Sequence, residues 1–267
     1  MPSFRITVAY DGTDFVGWQR QANGVSIQGL IEDALADIDG RPVAVAGAGR
    51  TDSGVHALAQ VAGFTLERPM PPDVLVRAIN AHLPDAIRVT AAAEVPASFH
   101  PRFAAHSKTY RYRILNSDVA SPFERRYAWH VPGSLDLEAM GAAARMLEGE
   151  HDFAAFQAAG SDVVTTVRTV MTSRIAECGV RIDWGAPAPT AIRHPPCCVT
   201  RSPAPGFFAT WCARLSARWW RSAAAAGRPT RRRSSWRSAT ARWRGRRRPP
   251  AACSWSPSTT ARFAAES

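Results

Sequence analysis

With 267 residues and a net charge of +11, the chain is long enough for one large or two ordinary domains with a sizeable core. No apolar run approaches the roughly 18 residues of a membrane-spanning helix, and the N-terminus alternates like a strand where a signal peptide would be uniformly apolar, so a soluble, cytoplasmic protein is expected. The five cysteines include the adjacent pair Cys197 and Cys198 but no C-x-x-C spacing, and they form no zinc-ligand pattern with the seven histidines, which argues against a metal or a disulfide.

Composition divides the chain. Through Glu177 there are 16 basic and 20 acidic residues, a net of −4; from Cys178 to Ser267 there are 17 and 2, a net of +15. This last stretch also holds all five cysteines and seven of the nine tryptophans, but only eight Leu, Ile, Val and Phe residues. It cannot bury enough apolar surface to offset its ordering entropy, so a largely disordered basic tail is expected over 178–267.

The first elements follow from periodicity. Phe4, Ile6, Val8 and Tyr10 alternate with Arg5, Thr7 and Ala9, which predicts a half-buried strand. Ile27, Leu30, Ile31, Ala34, Leu35 and Ile38 recur at helical spacing behind Ser26, a plausible N-cap. A strand over Val43 to Ala48 follows, then a strand over Ala57 to Leu66, a helix over Pro72 to Leu83 and a strand over Ile87 to Val95. The order is βαββαβ, that of a ferredoxin-like split unit. A second unit begins at Ser107, where Tyr110, Tyr112 and Ile114 alternate with Arg111 and Arg113; a helix over Leu137 to Leu147 and a strand over Thr165 to Ile175 continue it, and then the pattern stops. The expected class is α+β: residues 1–105 make one such unit and, if the chain is built as two, residues 106–177 make an incomplete second one.

Between the second and third strands runs GAGRTDSGVHA, Gly47 to Ala57, which places Asp52 two residues after Arg50 in a glycine-flanked loop. Glycine permits close backbone approach to a ligand, a geometry suited to a catalytic carboxylate. Thr51, Asp52 and Ser53 also suit plain turn or helix caps. A dinucleotide phosphate loop is discounted, because Asp52 stands where the third glycine of G-x-G-x-x-G belongs.

GRTDSGVHA, with YDGTDFVGWQRQ at Tyr10 to Gln21, INAHLPDAIRV at Ile79 to Val89 and FHPRFAAHSKTYRYRILN at Phe99 to Asn116, resembles the bacterial tRNA pseudouridine synthase A family. The four blocks stand in the family's order, and the similarity runs from about Phe4 to Glu177. The resemblance implies isomerisation of uridines 38 to 40 in the tRNA anticodon arm, without a cofactor, by a homodimer whose fold is two ferredoxin-like halves around a shared antiparallel sheet. It implies Asp52 as the essential carboxylate, Arg50 as the residue that fills the gap left by the extruded base, and Tyr110 as the ring that stacks on the uracil. Arg20, Gln21, Arg102, Lys108, Arg111 and Arg113 are candidate contacts to the RNA backbone. His56 in GVHA is read as a structural loop residue.

The missing half is legible in another frame. Joining the third base of each codon to the first two of the next lets Ser202 to Ala223 be read as VTGTGFLRHMVRALVGTLVEVG, and Cys253 to Thr260 as LLLVSVDY. Some letters are forced: Trp211 followed by Cys212, and Trp219 followed by Trp220, both give valine. Both segments resemble the family's C-terminal helix and final strand, which points to a single-base deletion between the codons of Arg174 and His194. The arginine of MVR, which in the family pairs with the catalytic aspartate, is then absent from the chain as written. That chain is expected to be inactive and poorly folded. The rival reading is a non-catalytic RNA-binding platform whose basic tail grips phosphate.

Overall fold

The computed structural model describes residues 1–154, 165–177, 196–202 and 257–262. The first strand, β1 (Ser3–Tyr10), turns Phe4, Ile6, Val8 and Tyr10 into the core, as its alternation requires. Helix α1 (Ile27–Asp39) starts where Ser26 accepts the Gly29 N–H at 3.1 Å. It stops at Gly40, whose φ of 77° lets its N–H close on Ala36 O. Its stripe of Ile27, Ile31, Ala34 and Leu35 is buried. Removing the cap with Ser26→Ala is expected to cost about 1 kcal/mol of unfolding free energy, read by urea denaturation.

The strand expected over Val43 to Ala48 contracts to β2 (Ala46–Gly47), because Val43 and Val45 are buried in the core outside any ladder. Then come β3 (His56–Thr65), α2 (Pro72–His82) with Leu75 and Ile79 buried, and β4 (Ile87–Val95). In the second half, β5 (Ser107–Asn116) is followed by the unexpected β6 (Trp129–Val131), α3 (Leu137–Arg145) and the unexpected β7 (Gly149–Asp152). The strand expected over Thr165 to Ile175 is two strands, β8 (Val167–Val170) and β9 (Thr172–Glu177). Its first part leaves the main sheet to pair with β7.

Two stretches of the expected tail are also strands, β10 (Pro196–Ser202) and β11 (Pro257–Arg262). The nine-stranded sheet runs β4-β1-β3-β11-β5-β10-β9, with β2 on β3 and β6 on β5. β11 lies parallel to β3 and antiparallel to β5, so the sheet is mixed and not wholly antiparallel. Ladder bonds are made by main chain, so an open slot between two strand edges accepts a segment whose side-chain pattern gives no strand signal. The remainder of the expected disordered tail lies outside the described residues.

The core packs α1 and α2 against β1, β3 and β4. At its rim Asp39, 6 % exposed, accepts the Glu67 N–H at 3.1 Å and lies 3.0 Å from Arg41 Nε. Burial alone would raise this carboxyl; the Glu67 and Arg68 amides and Arg41 outweigh it and hold it below the ordinary carboxylate range. A depressed folded-state value contributes stability above the unfolded value of about 3.9, and that stability is lost as pH falls through the folded value. Asp39→Asn should therefore cost about 2 kcal/mol at neutral pH and flatten the acid limb of a Tm-against-pH curve.

Candidate active site

The loop from β2 to β3 is held by the block Tyr10 to Gln21, so two of the four sequence blocks meet here. Tyr10 Oη lies 2.8 Å from Thr51 Oγ1, and the Trp18 N–H donates to Thr51 O at 3.0 Å. Burial pushes the Tyr10 phenol above its ordinary range, and the Thr51 hydrogen bond offsets only part of that. Beyond Asp52, Ser53 Oγ donates to Phe15 O at 3.1 Å and the Val55 N–H donates to Asp52 O at 3.2 Å. Gly54, with φ of 77°, makes the turn that a side chain would resist. Thr51 is thus turned inward and buried, while Arg50, Asp52 and Ser53 are exposed on a loop pinned from both sides.

A polar cluster braces the far end of the loop. His56, 8 % exposed, places Nδ1 2.9 Å from Asp11 Oδ1. The Gly12 N–H also reaches Nδ1, at 3.2 Å, and Nε2 lies 3.3 Å from Arg126 O. Tyr127 Oη donates to Asp11 Oδ2 at 2.7 Å, and its ring lies 5.2 Å from the His56 ring. Burial would raise the Asp11 carboxyl, but bonds from Thr13 and Tyr127 and the charge of His56 lower it. Sequence reasoning set His56 aside as a loop residue, whereas it opens β3; Tyr127 carried no signal, because its partner Asp11 is 116 positions away.

The other candidates separate by environment. Tyr110 is 5 % exposed on β5, which β11 and β10 flank. Arg102 and Arg111 are exposed. Arg113 pairs with Glu124 at 2.8 Å and Gln21 donates to Val16 O at 3.0 Å. Arg20 is exposed, with its Nε on Glu32 at 2.7 Å and its Nη2 on Asp33 at 2.5 Å and Gly29 O at 2.8 Å along α1. One expectation is corrected. Lys108 is not on the surface: it is 3 % exposed, and its Nζ donates to Ala48 O at 2.8 Å. It shares the inward parity of Tyr110, Tyr112 and Ile114 on β5.

Among the described residues no group of three or more His, Cys, Asp and Glu is placed to hold a metal ion. No described helix is long and apolar enough to cross a membrane.

The loop thus sets an exposed carboxylate, Asp52, two residues from an exposed arginine, Arg50, between tethered neighbours. A family model described as tRNA pseudouridine synthase matches residues 6–104 and 143–192. The chain is 46 % identical over 197 residues to the tRNA pseudouridine synthase A of Solibacter usitatus, spanning 73 % of this chain and 82 % of that one. It is 47 % identical over 195 residues to the protein of the same name from Beijerinckia indica, covering 73 % and 75 % of the two chains. Against that of Syntrophotalea carbinolica it is 48 % identical over 177 residues, 66 % and 70 % of the two. The chain belongs to the tRNA pseudouridine synthase family, a family of isomerases.

Proposed function

We propose that this protein is built to isomerise uridine to pseudouridine in the anticodon arm of tRNA, at positions 38 to 40, with Asp52 as the essential carboxylate. The observation that carries the reading is the placement of Asp52: exposed on a loop whose neighbouring residues are tied to the Tyr10 to Gln21 block. The reaction breaks the bond from uracil N1 to C1′, turns the base and joins C5 to C1′, with the C5 proton released and one taken up by N1. No electrons are exchanged and no water is consumed. Asp52 serves either by attacking the nucleotide covalently or by removing a ribose proton.

A uridine in an RNA stem must leave the stack first, which costs a few kcal/mol and leaves a gap. Arg50, exposed beside Asp52, is the group proposed to occupy it. Tyr110 is the proposed stacking ring; buried as it is, it offers uracil a face worth about 1–3 kcal/mol once it is uncovered. Arg102 and Arg111, with Arg20, Gln21 and Arg113, are the surface candidates for phosphate. A homodimer with one tRNA touching both subunits belongs to the same proposal.

The architecture is proposed as two ferredoxin-like halves. The β4-β1-β3 order with β2 beyond supports the first. The second family match covers half the length of the first and ends at residue 192, which supports an incomplete second half and a shift of frame near that point. The test is release of tritium from tRNA carrying [5-³H]uridine, because forming the C5 bond expels that hydrogen. A chain with the frame restored should release it in proportion to product. No release by either form, together with unchanged tRNA binding, would favour the RNA-binding platform.

A further inference from the structure

The chain contains one lysine, Lys108, and its other 32 basic residues are arginines. That lysine is almost fully buried, with Nζ 2.8 Å from Ala48 O, at the point where β2 gives way to the loop. The next carbonyl, Gly49 O, receives Gln60 Nε2 at 2.5 Å, and Gln60 is 2 % exposed. Two buried side chains from two strands therefore hold the two carbonyls just before Arg50 and Asp52. Gly49 leaves the space for this: a Cβ there would stand 2.6 Å from Lys108 Nζ.

The residue type fits the slot. A guanidinium would bring five donors in a rigid plane to a site where a single carbonyl accepts, whereas an ammonium on a flexible stem needs far less room. Packing alone does not explain it, because methionine would fill the volume with no charge to desolvate. Burial, with the charge of Arg102 added, lowers this ammonium to about 8. A cation kept at that cost on one backbone carbonyl has its effect in where it holds the chain. Lys108 stands two residues before Tyr110 on the same face of β5, so the bond to Ala48 O fixes the loop to the strand that carries the proposed stacking ring.

We propose that Lys108 is a positioning residue, a buried clamp that holds the Asp52 loop against β5 through Ala48 O. The significance of the clamp rests on reading Asp52 as the catalytic group; its existence does not.

The test uses the full chain labelled with ¹³C-lysine, in which every lysine side-chain signal belongs to Lys108. In the wild type the signal should titrate near pH 8. In Gly49→Ala, whose methyl displaces Nζ, the midpoint should rise toward the ordinary value of about 10.4. The amides of Ala48 and Trp18, which donate to Val61 O at 2.8 Å and Thr51 O at 3.0 Å, should exchange about ten- to a hundredfold faster, with those of β1 unchanged. Lys108→Met should give the same acceleration, and the double variant no more than either single one, since both remove one contact. Additive acceleration, an equal rise in β1, or a lysine titration indifferent to Gly49→Ala would overturn the clamp. Should Lys108→Met fail to fold, Gly49→Ala decides alone. Asp52→Ala, made in the frame-restored protein, separates the two claims: tRNA modification that survives it removes the catalytic reading, while the exchange data still judge the clamp.

Discussion

Asp52→Ala, made in the frame-restored protein, is expected to lower tritium release from [5-³H]uridine tRNA by at least about a thousandfold, the scale of losing a group that takes part in bond making. Its affinity for tRNA should change by less than about threefold. This pattern separates the enzyme from its plainest rival. An RNA-binding platform would be indifferent to the substitution. Deleting everything after Glu177 probes that rival from the other side, because a phosphate-gripping tail would carry most of the affinity and its salt dependence.

Restoring one base between the codons of Arg174 and His194 is expected to have the second large effect. In the shifted frame the segment beginning at Ser202 can be read as VTGTGFLRHMVRALVGTLVEVG, which carries an apolar stripe, and the family resemblance gives the arginine of MVR to the proposed catalytic carboxylate. Breaking such a buried pair typically costs about 3–5 kcal/mol, so activity should rise by at least about a hundredfold over the chain as written. The thermal midpoint should rise as well, since a complete second half covers strand edges that otherwise invite association. Intact mass together with the two activities checks this. Equal activity of the two forms would sink the frame hypothesis and leave the basic segment as a genuine part of the enzyme.

Much of the first half was legible because its elements carry their own pattern. β4 spans Ile87–Val95 as read, and Ser26 caps α1 as its position before an apolar stripe implied. The short strands β6 and β7 were not legible: three or four residues are too few for a period, and their partners make them strands. β10 and β11 are the same lesson in stronger form, since backbone pairing fills a slot that composition argues against.

In the site, motif blocks located the loop and its brace, but local sequence does not distinguish a surface cation from a buried one. Lys108 was legible in principle, because its parity on β5 is that of Tyr110 and Tyr112 and not that of Arg111 and Arg113. The ion pairs of Arg20 were not, because its carboxylate partners lie 12 and 13 residues away on α1.

The most direct test of the central claim is to map the product. After incubation of frame-restored protein with unmodified tRNA, carbodiimide labelling of pseudouridine and primer extension should show stops in the anticodon arm at positions 38 to 40, absent with Asp52→Ala. Stops elsewhere in the tRNA, or the same stops with the alanine variant, would contradict the account.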